Sequence, residues 1–224
     1  MREAMEDRAV YLGLLVSLVA LLLLPSLLPD NAFGAAVVRI LFSLVLLVAV
    51  VTSRRHRRTV WIAIALWIPA VGLRWAPELP GGALPSIVGY VSSLLLIGLV
   101  ATTLLSSVLT SRRVTQNTLY GAVCVYLLLG VAWALLYSLV ELEAPGSFVL
   151  QGGLLPRSEE GGAYTESLLY FSLVTLTTLG YGDVTPVTEL AQMLAVIEAM
   201  TGQLYVAITV AGLVALQVTH SREP

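Results

Sequence analysis

Apolar residues gather into six long stretches, separated by intervals that are short and polar, rich in Pro and Gly, or rich in arginine. The stretches run from about Ala9 to Leu28, Phe33 to Thr52, Val60 to Trp75, Leu84 to Leu109, Thr118 to Leu139 and Glu189 to Val218. A helix crossing a ~30 Å hydrocarbon core needs roughly 20 apolar residues, so each stretch is expected to be a transmembrane helix, the third being the shortest. The first follows Arg2 and Arg8 as a signal peptide would. It is too long for one, however, and ends in Pro25-Ser-Leu-Leu-Pro29 without a small-residue cleavage pattern, so it is expected to stay attached. One further helical segment, Tyr164 to Thr177, is roughly 21 Å long at 1.5 Å per residue. That is too short to span and suits a re-entrant half-helix. Glu141 to Gly162 reads as a polar loop before it.

Composition agrees: 58% hydrophobic residues, 12% charged and a mean hydropathy of +0.90 describe a polytopic membrane protein rather than a globular domain. The net charge of -2 gives no case for nucleic acid. Cys124 is the single cysteine, which rules out an intrachain disulfide, and His56 and His220 have no neighbours at ligand spacing, so no bound metal cofactor is expected. Arginines cluster at Arg54-Arg-His-Arg-Arg58 and Arg112-Arg113, the mark of cytoplasmic turns. With the N-terminus inside, Arg2, Arg8, Arg54, Arg55, Arg57, Arg58, Arg112, Arg113 and Arg222 all fall in inside flanks. Asp30, Glu78, Glu141, Glu143, Glu159, Glu160, Glu166, Asp183 and Glu189 then lie outside as an acidic vestibule. Both termini are placed in the cytoplasm and the chain in the plasma membrane.

The stretch with chemical content is Ser172 to Pro186. Its core, Thr177-Thr178-Leu179-Gly180-Tyr181-Gly182-Asp183, resembles the selectivity filter of tetrameric potassium channels, with Leu179 where the commonest version has Val. A potassium ion inside a membrane must exchange its water shell for fixed oxygens, and a row of backbone carbonyls facing one axis supplies them. Turning successive carbonyls the same way needs unusual dihedrals, which glycine tolerates, so Gly180 and Gly182 read as backbone devices. The half-helix would aim its partially negative C-terminal end at the dehydrating cation. Two other readings of Gly-x-Gly-Asp are an ordinary turn and an intramembrane aspartyl protease. The protease needs a second aspartate within the membrane, and the only others are Asp7 and Asp30 in the flanks.

The resemblance covers about 60 residues and implies K+ sites at Thr178, Leu179, Gly180, Tyr181 and Gly182, with Asp183 capping the outer mouth. It implies support of the filter by Thr177, Val174 and the pair Tyr170-Phe171, where many members carry two tryptophans. Phe171 cannot donate a hydrogen bond, so a looser brace behind Tyr181 is expected. Gly202 matches the family's hinge glycine, with close helix packing as the alternative. Gln203, Val206 and Val210 would line the cavity. Glu198 lies roughly 13 Å down its helix, where a charge costs ~2.5 to 3.5 kcal/mol. It is expected to hydrogen-bond the half-helix near Thr175 or Thr177, or to tune cation occupancy and proton sensitivity. One filter copy per chain implies four chains around a shared pore.

The fold expected is therefore an all-α membrane protein of six transmembrane helices with the re-entrant segment between the fifth and sixth, assembled as a homotetramer in lipid. Residues 1–113 form a four-helix domain in the position of a voltage sensor, and 114–224 the pore domain. No charged residue stands between Ala83 and Leu109, so no arginine-based sensor is expected. The function expected is passive, potassium-selective conduction by a protein that is not an enzyme, with K+ as permeant ion and no cofactor. The alternatives are a less selective cation channel or a non-conducting membrane subunit. No attached ligand-binding domain is expected after the last helix, and the gating stimulus and any regulatory subunit are open.

Overall fold

The computed structural model describes residues 2–29, 31–52, 57–75, 83–111, 115–151, 153–155 and 164–220. Arg54, Arg55, Arg112, Arg113, Arg222, Asp30, Glu78, Glu159 and Glu160, which carry much of the inside–outside assignment, lie outside them.

The chain is mostly helical. Helix α1 (Arg2–Leu23) stops short of Pro25, which has no N–H to continue the ladder and instead opens the 3-10 turn Pro25–Leu27. Then follow α2 (Ala32–Thr52), α3 (Arg57–Gly72, with Pro69 inside it) and α4 (Leu84–Leu109). Helix α5 (Gln116–Glu143) begins two residues before its apolar stretch, because Thr115 and Thr118 form a capping box. The half-helix is α6 (Tyr164–Leu176), and the last helix is α7 (Glu189–His220). Three described segments are long and apolar enough to cross a membrane: Leu84–Leu109, Gln116–Glu143 and Glu189–Ala215. Val10–Leu23, Ala32–Val48, Thr59–Gly72 and Glu166–Leu176 are shorter apolar helical stretches.

The structure adds a small sheet to the expected all-helical plan. Strand β1 (Phe148–Leu150) lies between β2 (Gly153–Leu154) and β3 (Val184–Pro186), antiparallel to both, with Val149 opposite Leu154 and Thr185. Two of these strands fall in the segment read as polar loop. They are too short to show an alternating pattern, and β1 takes its second partner from β3, where Val184 pairs with Leu150 from 34 residues further on.

The core falls into two clusters. The larger runs without a break from α1, α2, α3 and α4 into α5, through Leu14, Phe42, Ala63, Ile97 and Leu128. The smaller joins Tyr137, Val140, Phe148, Leu168, Phe171, Val184 and Ala191, and so packs parts of α5, α6, α7 and the sheet together. Arg39 and Arg74, isolated in sequence, both serve packing between α2 and the end of α3. The Arg74 guanidinium lies 4.3 Å from the centre of the Phe42 ring and that of Arg39 5.9 Å from the centre of the Trp75 ring.

Candidate functional site

The segment after α6 owes its shape to backbone hand. Thr178, Gly180 and Gly182 have φ of 59°, 59° and 77°, while Leu179 and Tyr181 between them do not enter that region. In an extended chain successive carbonyls point in opposite directions. A left-handed φ at every second residue rotates alternate peptides, so that the carbonyls can face one side. A Cβ on Gly180 or Gly182 would meet nothing within 4 Å, so these positions need glycine for its dihedrals and not for space. Thr178 is the member of this alternation that sequence reasoning missed, since a β-branched residue rarely takes positive φ. Its hydroxyl donates to the Thr177 carbonyl at 2.7 Å and accepts from Gln203 Nε2 at 3.2 Å, which holds it in place.

Residues 178–180 hang from the end of α6 by main-chain bonds. Leu179 and Gly180 N–H both donate to the Val174 carbonyl, at 2.9 and 3.3 Å, and Thr178 N–H donates to Thr175 at 2.9 Å. Val174 thus touches Leu179 and Gly180 through its carbonyl, while its side chain is buried. The Thr177 hydroxyl donates to the Leu173 carbonyl within α6 at 2.7 Å. At the other end, Gln151 N–H donates to the Asp183 carbonyl at 2.8 Å, and β3 continues into the sheet, so the segment before α6 anchors the chain after Gly182. Tyr170 hydroxyl donates to Asp183 Oδ2 at 2.7 Å, a bond that holds the Asp183 carboxyl below its ordinary range.

Phe171 behaves differently from its neighbour. Its ring is buried against Tyr137 and Phe148, with centroids at 5.2 and 5.3 Å. Tyr181, by contrast, is 66% exposed in the single chain.

Helix α7 meets α6 along one line. Glu198 lies against Ser172, and one turn later the Gly202 backbone lies against the Leu176 carbonyl, where a Cβ would overlap the oxygen. Gly202 therefore needs glycine for space, the reverse of Gly180, and α7 runs through it as continuous helix. The same register corrects the expected partners of Glu198. They are Ser172 Oγ and the Tyr137 hydroxyl, each at 2.5 Å, rather than Thr175 or Thr177, because Glu198 stands level with Ser172, one turn above the Gly202 contact.

Helix α5 runs the opposite way along α6. Tyr126 hydroxyl donates to the Leu176 carbonyl at 3.2 Å, and four residues on, the Gly130 carbonyl accepts from Ser172 Oγ at 2.8 Å. Gly130 allows this approach, since a Cβ there would come within 2.7 Å of the Leu173 side chain. None of Ser172, Tyr137, Tyr126 and Gly130 was assigned a role from sequence; each is an unremarked residue in an apolar run until its partner on another helix is known.

Gln203, Val206 and Val210 are exposed on α7. So are Met193, Met200, Leu204, Ile208 and Val214, leaving most of this apolar helix uncovered by its own chain. Of the acids expected in the vestibule, Glu141 is withdrawn from it. It is 2% exposed and accepts from Gly146 and Phe148 N–H at 2.7 and 3.0 Å, closing the turn between α5 and β1.

Residues 118–217 match the family model described as Ion channel. Protein LctB of Bacillus caldotenax is 29% identical over 122 residues, covering 51% of this chain and 89% of that protein. Protein LctB of Geobacillus stearothermophilus is 32% identical over 127 residues, covering 56% of this chain and 90% of that protein. No solved structure matches.

Proposed function

The chain belongs to the ion channel family, a class of membrane proteins and not of enzymes, and on that premise we propose that it is a potassium-selective channel subunit. Four copies surround one axis, each contributing the carbonyls of Thr178 to Gly182. The observation that supports this reading most is the alternation of φ at Thr178, Gly180 and Gly182. Such an alternation suits a row of main-chain oxygens, and the side chains of Leu179 and Tyr181 in the same segment are 55% and 66% exposed. Such oxygens replace the hydration shell of an alkali cation without adding a fixed charge.

The remaining assignments follow from it. Six helices cross the plasma membrane with both termini inside, α6 is re-entrant, residues 1–113 support the pore domain 114–224, and the exposed face of α7 is covered by neighbouring copies. Gln203, Val206 and Val210 line the cavity beneath the filter, and Gly202 lets α7 bend as well as pack. Opening does not use an arginine sensor.

The test is cation flux through purified protein in liposomes, under opposed potassium and sodium gradients. A reversal potential that follows potassium is expected. One that follows both ions would make this a less selective cation channel, and no flux under any voltage, pH or tension would leave a non-conducting membrane subunit.

A further inference from the structure

Behind α6, three oxygen pairs form a closed chain. Tyr137 hydroxyl lies 2.5 Å from Glu198 Oε2, Glu198 Oε1 lies 2.5 Å from Ser172 Oγ, and Ser172 Oγ lies 2.8 Å from the Gly130 carbonyl oxygen. Tyr137, Ser172 and Glu198 are each 0% exposed, so bulk water does not reach the chain.

The protons can be counted. Three oxygen–oxygen contacts at hydrogen-bond distance need three protons, because two bare lone pairs repel at that range. The Gly130 carbonyl brings none, and Ser172 and Tyr137 bring one each. An ionised Glu198 also brings none, leaving two protons for three contacts. If Ser172 then donates to Glu198, its own oxygen faces the Gly130 carbonyl unprotonated; if it donates to Gly130, it faces the carboxylate unprotonated. A neutral acid supplies the third proton, and only one arrangement then satisfies every pair.

We propose that Glu198 is a neutral carboxylic acid that accepts from Tyr137 and donates to Ser172, making it a positioning residue that ties α7 and α6 to α5. Its effect on conduction rests on the channel reading above. Ionisation removes one proton, so one link opens and a charge appears in a dry site. The titratable groups facing Glu198 are Tyr137 and, without a direct bond, Tyr126, both on α5, while α6 offers the Ser172 hydroxyl. Glu198→Gln keeps the donor–acceptor pattern: its amide N–H donates to Ser172 and its carbonyl accepts from Tyr137.

The experiment is infrared spectroscopy of the full chain in lipid, wild type minus Glu198→Gln, with potassium flux measured on both across pH. The difference spectrum is expected to show a protonated carboxyl band at neutral pH that Ser172→Ala displaces and that fades in alkali. Wild-type flux is expected to fall roughly tenfold over the same alkaline range, the scale of one lost hydrogen bond between neutral groups, while Glu198→Gln stays flat. A carboxylate band at neutral pH, a band indifferent to Ser172→Ala, failure of Glu198→Gln to assemble, or an alkaline fall shared by both proteins would overturn the proposal. If the wild type passes no ions, the spectrum still decides the protonation while the channel reading alone fails.

Discussion

The first four helices and the segment from α5 to α7 draw on the same apolar residues but use their polar groups differently. In α1 and α4 the hydroxyls of Ser17, Ser93, Thr102, Thr103 and Ser106 donate to carbonyls three or four residues back in their own helix. Such bonds satisfy the hydroxyl and say nothing about which helix lies alongside. In the later segment Ser138 and Thr201 do the same, but a second set of polar bonds joins distant parts of the chain: Tyr137 to Glu198, Ser172 to Gly130, Tyr126 to Leu176, Tyr205 to the Ala122 carbonyl and Gln203 to Thr178. Trp75 Nε1 to Ser43 at 3.3 Å is an exception in the first region. Aliphatic packing tolerates exchange of side chains of similar volume, whereas a buried hydrogen bond fixes both partners in distance and direction. The first region is thus held by shape, and the second is held in register.

The largest effect expected from this contrast is Gly180→Ala. The added methyl has open space but the wrong dihedrals, so helical content is expected to stay and potassium flux to vanish; normal flux with a normal circular dichroism spectrum would break the backbone argument. Next comes Leu96→Ala in α4, a fully buried position in the larger cluster. It is expected to cost about 2–5 kcal/mol of stability, read as a lower midpoint in thermal unfolding in detergent. The molecules that remain folded should keep the wild-type ion preference, and a changed reversal potential would show that the first region does more than support.

Tyr170→Phe should act at the mouth. Asp183 has a carboxyl held low by the Tyr170 hydroxyl, so its stabilising share is present above the unfolded carboxyl range and lost only as pH falls through the depressed folded value. Without the hydroxyl that value rises, and the acid loss of flux is expected at higher pH than in the wild type. An unmoved acid limb would separate Asp183 from the filter. The smallest effect is expected for Ser93→Ala, within about 0.5 kcal/mol, because the Gly89 carbonyl keeps its helical partner.

Sequence alone determined much of this. Apolar length places the helices, since a run of Leu, Val and Ile can hide its backbone from lipid only by coiling. The proposed filter is equally local: Gly180 and Gly182 carry their meaning in their own dihedrals, and the ion channel match covers residues 118–217, within which that stretch lies. What tertiary structure decided are pairings between residues far apart. Glu198 is visible as a costly acid in an apolar helix, but its partners depend on the register of α7 against α6 and of α6 against α5, which no periodicity encodes. Glu141 looks like one more vestibule acid until the fold of β1 turns two N–H groups toward it. Gly202 reads as hinge or packing residue in sequence and Gly130 carries no reading there, and only the Leu176 carbonyl and the Leu173 side chain against them show why nothing larger fits. Hydropathy is a property of each residue by itself, whereas a close contact belongs to two, and the second is known only when the chain has folded.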